Sequence, residues 1–181
     1  FDLNNYKSIS LFLIKFFGTY FLLFTIYSFY LKRNQTKEVG LFECAPITSQ
    51  VANHTVYTLT FFGFDVANEQ HQEEMSIKLM VNGSYVARVI EGCNSISIII
   101  LFIAFIVAFA GPIKTTAIYL IFGSVVIYVI NILRIAFLTM MLYKYPEQQA
   151  FLHSLVFPAI IYGSTFLLWV IWVRKFSYYK K

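Results

Sequence analysis

Three residues able to do covalent chemistry stand at intervals set by the thickness of a membrane: Cys93, Arg134 and His153. Cys93 lies in VIEGC, directly before the apolar run NSISIIILFIAFIVAFA. Lys114 lies 21 residues beyond Cys93, Arg134 lies 20 beyond Lys114, and Arg174 lies 21 beyond His153. An α-helix rises ~1.5 Å per residue, so each interval spans about 30 Å, the depth of a hydrocarbon core. Successive spans alternate direction, which predicts Cys93, Arg134 and His153 at one face and Lys114 and Arg174 at the other. A fixed guanidinium favours the thiolate, and the thiolate is the nucleophile. An imidazole holds or returns a proton near neutral pH, and the cation also stabilises the oxyanion formed when sulfur attacks a carbonyl. Together the three groups fit acyl transfer through a thioester.

Other side chains support or compete with that reading. Asn131 and Arg134 are three residues apart and share a helix face. Glu91 and Asn94 flank the cysteine and are candidate supporting residues. An arginine at mid-bilayer costs about 2.5–3.5 kcal/mol, so Arg134 is expected to face the bundle with a partner. Its structural alternative is pairing with Glu91 or capping carbonyls. His54 and His71 read as ordinary polar-face or solvated residues, and Lys15 as a charge that snorkels to the nearer face.

The elements that must position these groups are membrane helices. The 181 residues are 59% hydrophobic and 13% charged, against roughly 45–50% apolar in a soluble domain. The fold class expected is an all-α integral membrane bundle of four transmembrane helices, forming a single membrane domain over 1–181. Its spans run about 8–31, 93–111, 116–143 and 151–173, and the external region 32–92 carries an interfacial helix and a small β-hairpin. The first run is too long for a signal-peptide apolar region and is expected to be retained. In the external region, TSQVANHTVYTLTFF places Val51, Ala52, Val56, Leu59 and Phe62 at helical spacing. Asp65 to Glu74 reads as an acidic turn. Asn82-Gly83 between SIKLMV and SYVARVI is a strong type I′ hairpin signal. The apolar run 96–110 covers only about 22 Å, so its helix is expected to begin near Cys93 itself. Pro158 is expected to kink the last span, and Gly163, Ser164 and Thr165 to give it a small contact face.

The net charge of +5 comes from basic residues scattered around span ends, where lipid headgroups rather than nucleic acid are the expected partner. Arg174, Lys175, Lys180 and Lys181 after the last span predict a cytoplasmic C-terminus, and an even number of spans then predicts a cytoplasmic N-terminus. Cys44 and Cys93 match no zinc spacing and no CxxC pair, and no metal or cofactor is expected.

The order EGCNSI at the mouth of a span, NILR, then HSLVFPAIIYG resembles the exosortase/archaeosortase family, and the small size resembles the short exosortase F branch. The likeness covers roughly residues 40–165. It implies a cysteine protease or transpeptidase of the bacterial cytoplasmic (inner) membrane, with its active site on the external, periplasmic face. The implied substrates are exported proteins with a C-terminal tail of recognition motif, hydrophobic helix and basic end. Carried over position by position, Cys93 is the nucleophile, Arg134 the polarising cation and His153 the acid/base. Many members have glycine two residues after the cysteine, where this chain has Ser95. Larger members have more spans, which raises the question whether a small membrane partner completes the substrate groove.

Two rivals belong to other classes. A membrane thiol-disulfide oxidoreductase would use Cys44 and Cys93 as a redox pair. A non-catalytic assembly subunit would leave Cys93 as an inert thiol.

Overall fold

The computed structural model describes residues 3–38, 41–109 and 111–177, without the side chains of a few of them, His153 included. Three helices are long and apolar enough to cross a bilayer: Lys7–Asn34, Ile113–Lys144 and Gln149–Lys175. The first belongs to α1 (Leu3–Asn34), and the second is α4 (Ile113–Lys144). The third combines α5 (Gln149–Phe151), a π-helical turn Leu152–Val156, and α6 (Phe157–Lys175). The expected second span is shorter. It forms α3 (Ile96–Ala108), whose 13 residues rise only about 20 Å, and it begins after Cys93 rather than at it.

A mixed layer stands at one end of these helices. α2 (Pro46–Phe61) is the expected short helix, with Pro46 at its first turn, where a missing N–H costs nothing. β4 (Ser76–Val81) and β5 (Ser84–Ile90) form the expected hairpin, and Asn82 and Gly83 take φ of 48° and 74°, as a type I′ turn demands. The acidic stretch is not a turn throughout: β3 (Val66–Gln70) adds to β4, giving an antiparallel sheet of order β3-β4-β5. β1 (Thr36–Glu38) and β2 (Leu41–Glu43) make a separate small ladder.

α4 belongs to both layers. Its 32 residues extend about 48 Å, well beyond a hydrocarbon core. Its first part packs Tyr119 and Ile127 with Phe102 and Ile106 of α3 and Ile161, Leu168 and Trp172 of α6. Farther along, Ile135 joins Val51, Ala52, Leu79 and Val89 of the mixed layer, and Ala136 joins Leu59 and Val81. Arg134 therefore stands where one core gives way to the other. Gly123 lets α3 approach α4, because a Cβ there would strike the Phe102 ring. The small face expected at Gly163 is not used: a Cβ there would meet open space, and only Thr165 of that trio is buried. The backbone irregularity near Pro158 is the π turn that precedes it, consistent with a ring that removes a helical N–H.

Candidate active site

Cys93 ends a 3-10 turn, Glu91–Cys93, between β5 and α3. Its two neighbours hold that turn to the rest of the molecule. The Glu91 carboxylate accepts the Ala45 N–H at 2.6 Å and the Thr48 hydroxyl proton, so its charge sits at the amino end of α2. The Asn94 side chain is buried. Its Nδ2 donates to the Tyr27 hydroxyl at 2.7 Å and to Thr48 Oγ1 at 3.2 Å, while its Oδ1 accepts the Ile96 N–H at 3.1 Å in an Asx turn at the start of α3. One amide thus joins α1, α2 and α3 beside the thiol. Ser95 has φ of +65°, the left-handed region that favours glycine. A residue carrying a Cβ pays roughly 1 kcal/mol for this conformation.

α4 supplies the opposite wall. Asn131 is buried and its Nδ2 donates to the Cys93 carbonyl at 2.7 Å, fixing the backbone of the turn to the helix that carries Arg134. One helical step on, Arg134 lines the same cavity as Cys93, a space of about 280 Å³ that Ile98, Phe157, Ile161 and Tyr162 help enclose. The guanidinium carbon lies 5.4 Å from the centre of the Phe157 ring, a cation–π contact. Cys93 and Tyr162 are its ionisable neighbours in the cavity. Among the described residues, Arg134 Nε is buried without a hydrogen-bond partner. The alternative of an ion pair with Glu91 is not realised, because that carboxylate is taken up by Ala45 and Thr48.

The sequence-derived site is therefore assembled in part. Cys93, Asn131 and Arg134 converge; Glu91 and Asn94 anchor the turn from outside the cavity. The backbone of His153 lies in the π turn leading into α6, and its side chain is outside the described residues. Sequence reasoning missed Tyr162, whose only signal was a phenol among apolar residues, four residues beyond Pro158. It also missed Thr48 and Tyr27, which hold Asn94.

The other thiol, Cys44, is buried and free, as Cys93 also is free. Burial pushes the Cys44 thiol above its ordinary range; the hydrogen bond from Gln70 opposes that shift, and the nearby Glu91 charge adds to it. Gln70 holds this cysteine twice, through Nε2 to Sγ at 3.8 Å and Oε1 to the Cys44 N–H at 3.4 Å.

Comparison with known proteins agrees with this geometry at the level of family. No curated protein matches the chain. No solved structure matches it either. The family described as Transmembrane exosortase (Exosortase_EpsH) matches residues 16–173, nearly the whole chain and every element of the site. This multi-pass membrane protein belongs to the transmembrane exosortase family, whose members act in the processing of sorting signals.

Proposed function

We propose that this chain is a membrane cysteine peptidase or transpeptidase that cuts exported proteins at a C-terminal sorting tail. The observation that carries the reading is the shared cavity of Cys93 and Arg134, with the buried Arg134 Nε lacking a partner among the described residues. An unsatisfied cationic donor beside a thiol is suited to a negative oxygen that exists only during reaction. The Cys93 thiolate attacks the carbonyl carbon of the scissile peptide bond, and Arg134 faces the resulting oxyanion. Collapse breaks the C–N bond, and the departing nitrogen takes a proton from His153. The acyl group stays on sulfur as a thioester, which water or an acceptor amine then resolves. Asn131 acts through the backbone of Cys93 and is a positioning residue.

The site belongs on the outer face of the bacterial cytoplasmic membrane, with both termini inside. Support comes from Arg174 and Lys175 in the last turn of α6, Lys180 and Lys181 beyond it in the sequence, and Lys114 in the first turn of α4. Mass spectrometry of the C-termini of exported proteins, in cells with and without the chain, tests the reading. The expected result is new C-termini upstream of apolar tails only where the chain is present. Identical C-termini in both would overturn it.

A further inference from the structure

The sheet beside Cys93 has two edges of unlike character. β3 reads VANEQ, is polar outward, and is tied to α2 through the Asn68 amide donating to Asn53 at 2.7 Å. β5 pairs with β4 only, and among the described residues no other backbone hydrogen bond involves it. Its Tyr85 and Ile90 are 49% and 43% exposed. The charge on this strand, Arg88, is drawn into an ion pair with Glu74, and an edge whose N–H and C=O groups have no strand beside them invites another strand.

That edge forms the wall of a groove that opens into the site. A cavity of about 520 Å³ adjoins the one at Arg134 and shares Ala87, Arg88 and Cys93 with it. Tyr85, Val86, Ala87 and Arg88 line it in unbroken succession. Val86 is a bulge, unpaired between Tyr85 opposite Met80 and Ala87 opposite Leu79; beyond it the lining continues through Ala87, Arg88 and Ile90, residues of both faces of the strand, so the groove runs along the edge of β5. Leu138 and Leu142 of α4 face it across the groove. Two contacts fix the ends: Asn82 Nδ2 donates to the Tyr143 hydroxyl at 2.9 Å, and Asn131 Nδ2 to the Cys93 carbonyl at 2.7 Å. From Asn131 to Tyr143 the helix rises about 18 Å, close to the roughly 20 Å that an extended strand of this length spans. Strand and helix run side by side for the whole groove.

We propose that the free edge of β5 binds an extended peptide, the segment preceding the cleaved bond of the sorted protein, as a fourth, parallel strand. The proposal rests on the peptidase reading above and adds how the substrate is held. Direction follows from the geometry. β5 runs from the hairpin, level with the outer end of α4, down to Cys93 near the apolar layer. A substrate entering from outside with its hydrophobic helix still to come runs the same way. Main-chain pairing to β5 supplies affinity independent of sequence, and the Leu138 and Leu142 wall limits what fits beside it. Cys93, three residues past Ile90, meets the carbonyl where the added strand ends.

The test uses the full-length chain in membranes, with Cys93→Ala to trap substrate. A reporter carries a tail that the C-terminal survey shows to be cut. A photo-crosslinking amino acid at Tyr85 or Arg88 is expected to capture residues before the cleaved bond, at least about tenfold more than one at Glu69 on the opposite edge. Tail peptides with one N-methyl group moved residue by residue are expected to lose competition about tenfold at every second position. Equal capture from Glu69, or no alternation, while the unmutated chain cuts the reporter, overturns docking on β5 and leaves the peptidase reading standing. If the unmutated chain does not cut it, both fall.

Discussion

Cys44 and Cys93 pack against the same cluster of Val51, Leu79 and Val89, yet their surroundings ask different things of sulfur. Cys44 is buried, held by Gln70, and near the anionic Glu91. Cys93 is partly exposed in a cavity, with its carbonyl pinned by Asn131 and a cation on the facing helix. The contrast shows that thiol chemistry here is set by exposure and by what the opposite wall carries, since both residues pack on the same cluster. It also counts against the redox pair, which needs Cys44 to act as a thiolate in a place that disfavours one.

The largest effect expected separates the two directly. Cys93→Ala should abolish tail processing, because the nucleophile has no substitute. Cys44→Ser should keep processing within a few-fold and lower stability by about 1–2 kcal/mol, the cost of a buried hydroxyl in place of a thiol. Equal loss in both, read from reporter cleavage, would restore the redox pair. Next in size is Arg134→Lys. A point charge replaces a planar fork, and processing should slow about 10²-fold, close to the loss of an oxyanion-hole donor, with the protein still folded. Normal turnover would remove Arg134 from its assigned role. Smaller again is the difference in labelling. With a maleimide added to intact membranes, Cys93 should react first. Cys44 should react only as pH rises past the usual thiol range, because its raised value keeps it protonated below that point. Faster labelling of Cys44 at neutral pH would invert the comparison.

Much of this arrangement was legible in the sequence because membrane thickness is a ruler. Arg134 and Cys93 could be set at one level by counting residues, and Asn82-Gly83 announced the hairpin by its need for positive φ. What stayed hidden depends on tertiary partners. β3 is a polar edge strand without alternation, and it forms because β4 offers a ladder, so an acidic composition concealed it. α3 was expected to start at the cysteine to gain length. It starts at Ile96, after Ser95 in a left-handed conformation and an Asx turn in which Asn94 accepts the Ile96 N–H, and Tyr27 and Thr48 on two other helices hold that asparagine. Glu91 looked like a partner for Arg134 on charge alone, whereas the amino end of α2 competes for it with a backbone N–H and a hydroxyl.

Ser95 carries the smallest predicted effect and isolates what holds Cys93 apart from what activates it. At φ of +65° a side chain costs roughly 1 kcal/mol that glycine would not. Glycine in turn adds about 0.4–1 kcal/mol of chain entropy to the unfolded state, and the Ser95 hydroxyl bond to the Asn94 carbonyl would be lost. These terms nearly cancel. Ser95→Gly should therefore shift the unfolding midpoint by no more than about 0.5 kcal/mol and leave cleavage close to normal. Ser95→Val should cost about 2 kcal/mol or more, because a β-branched residue fits that backbone region poorly, and should slow cleavage in step with the displaced turn. If valine is tolerated as well as glycine, the left-handed turn is not what holds the thiol in place. The positioning would then rest on Asn94 and Asn131 alone.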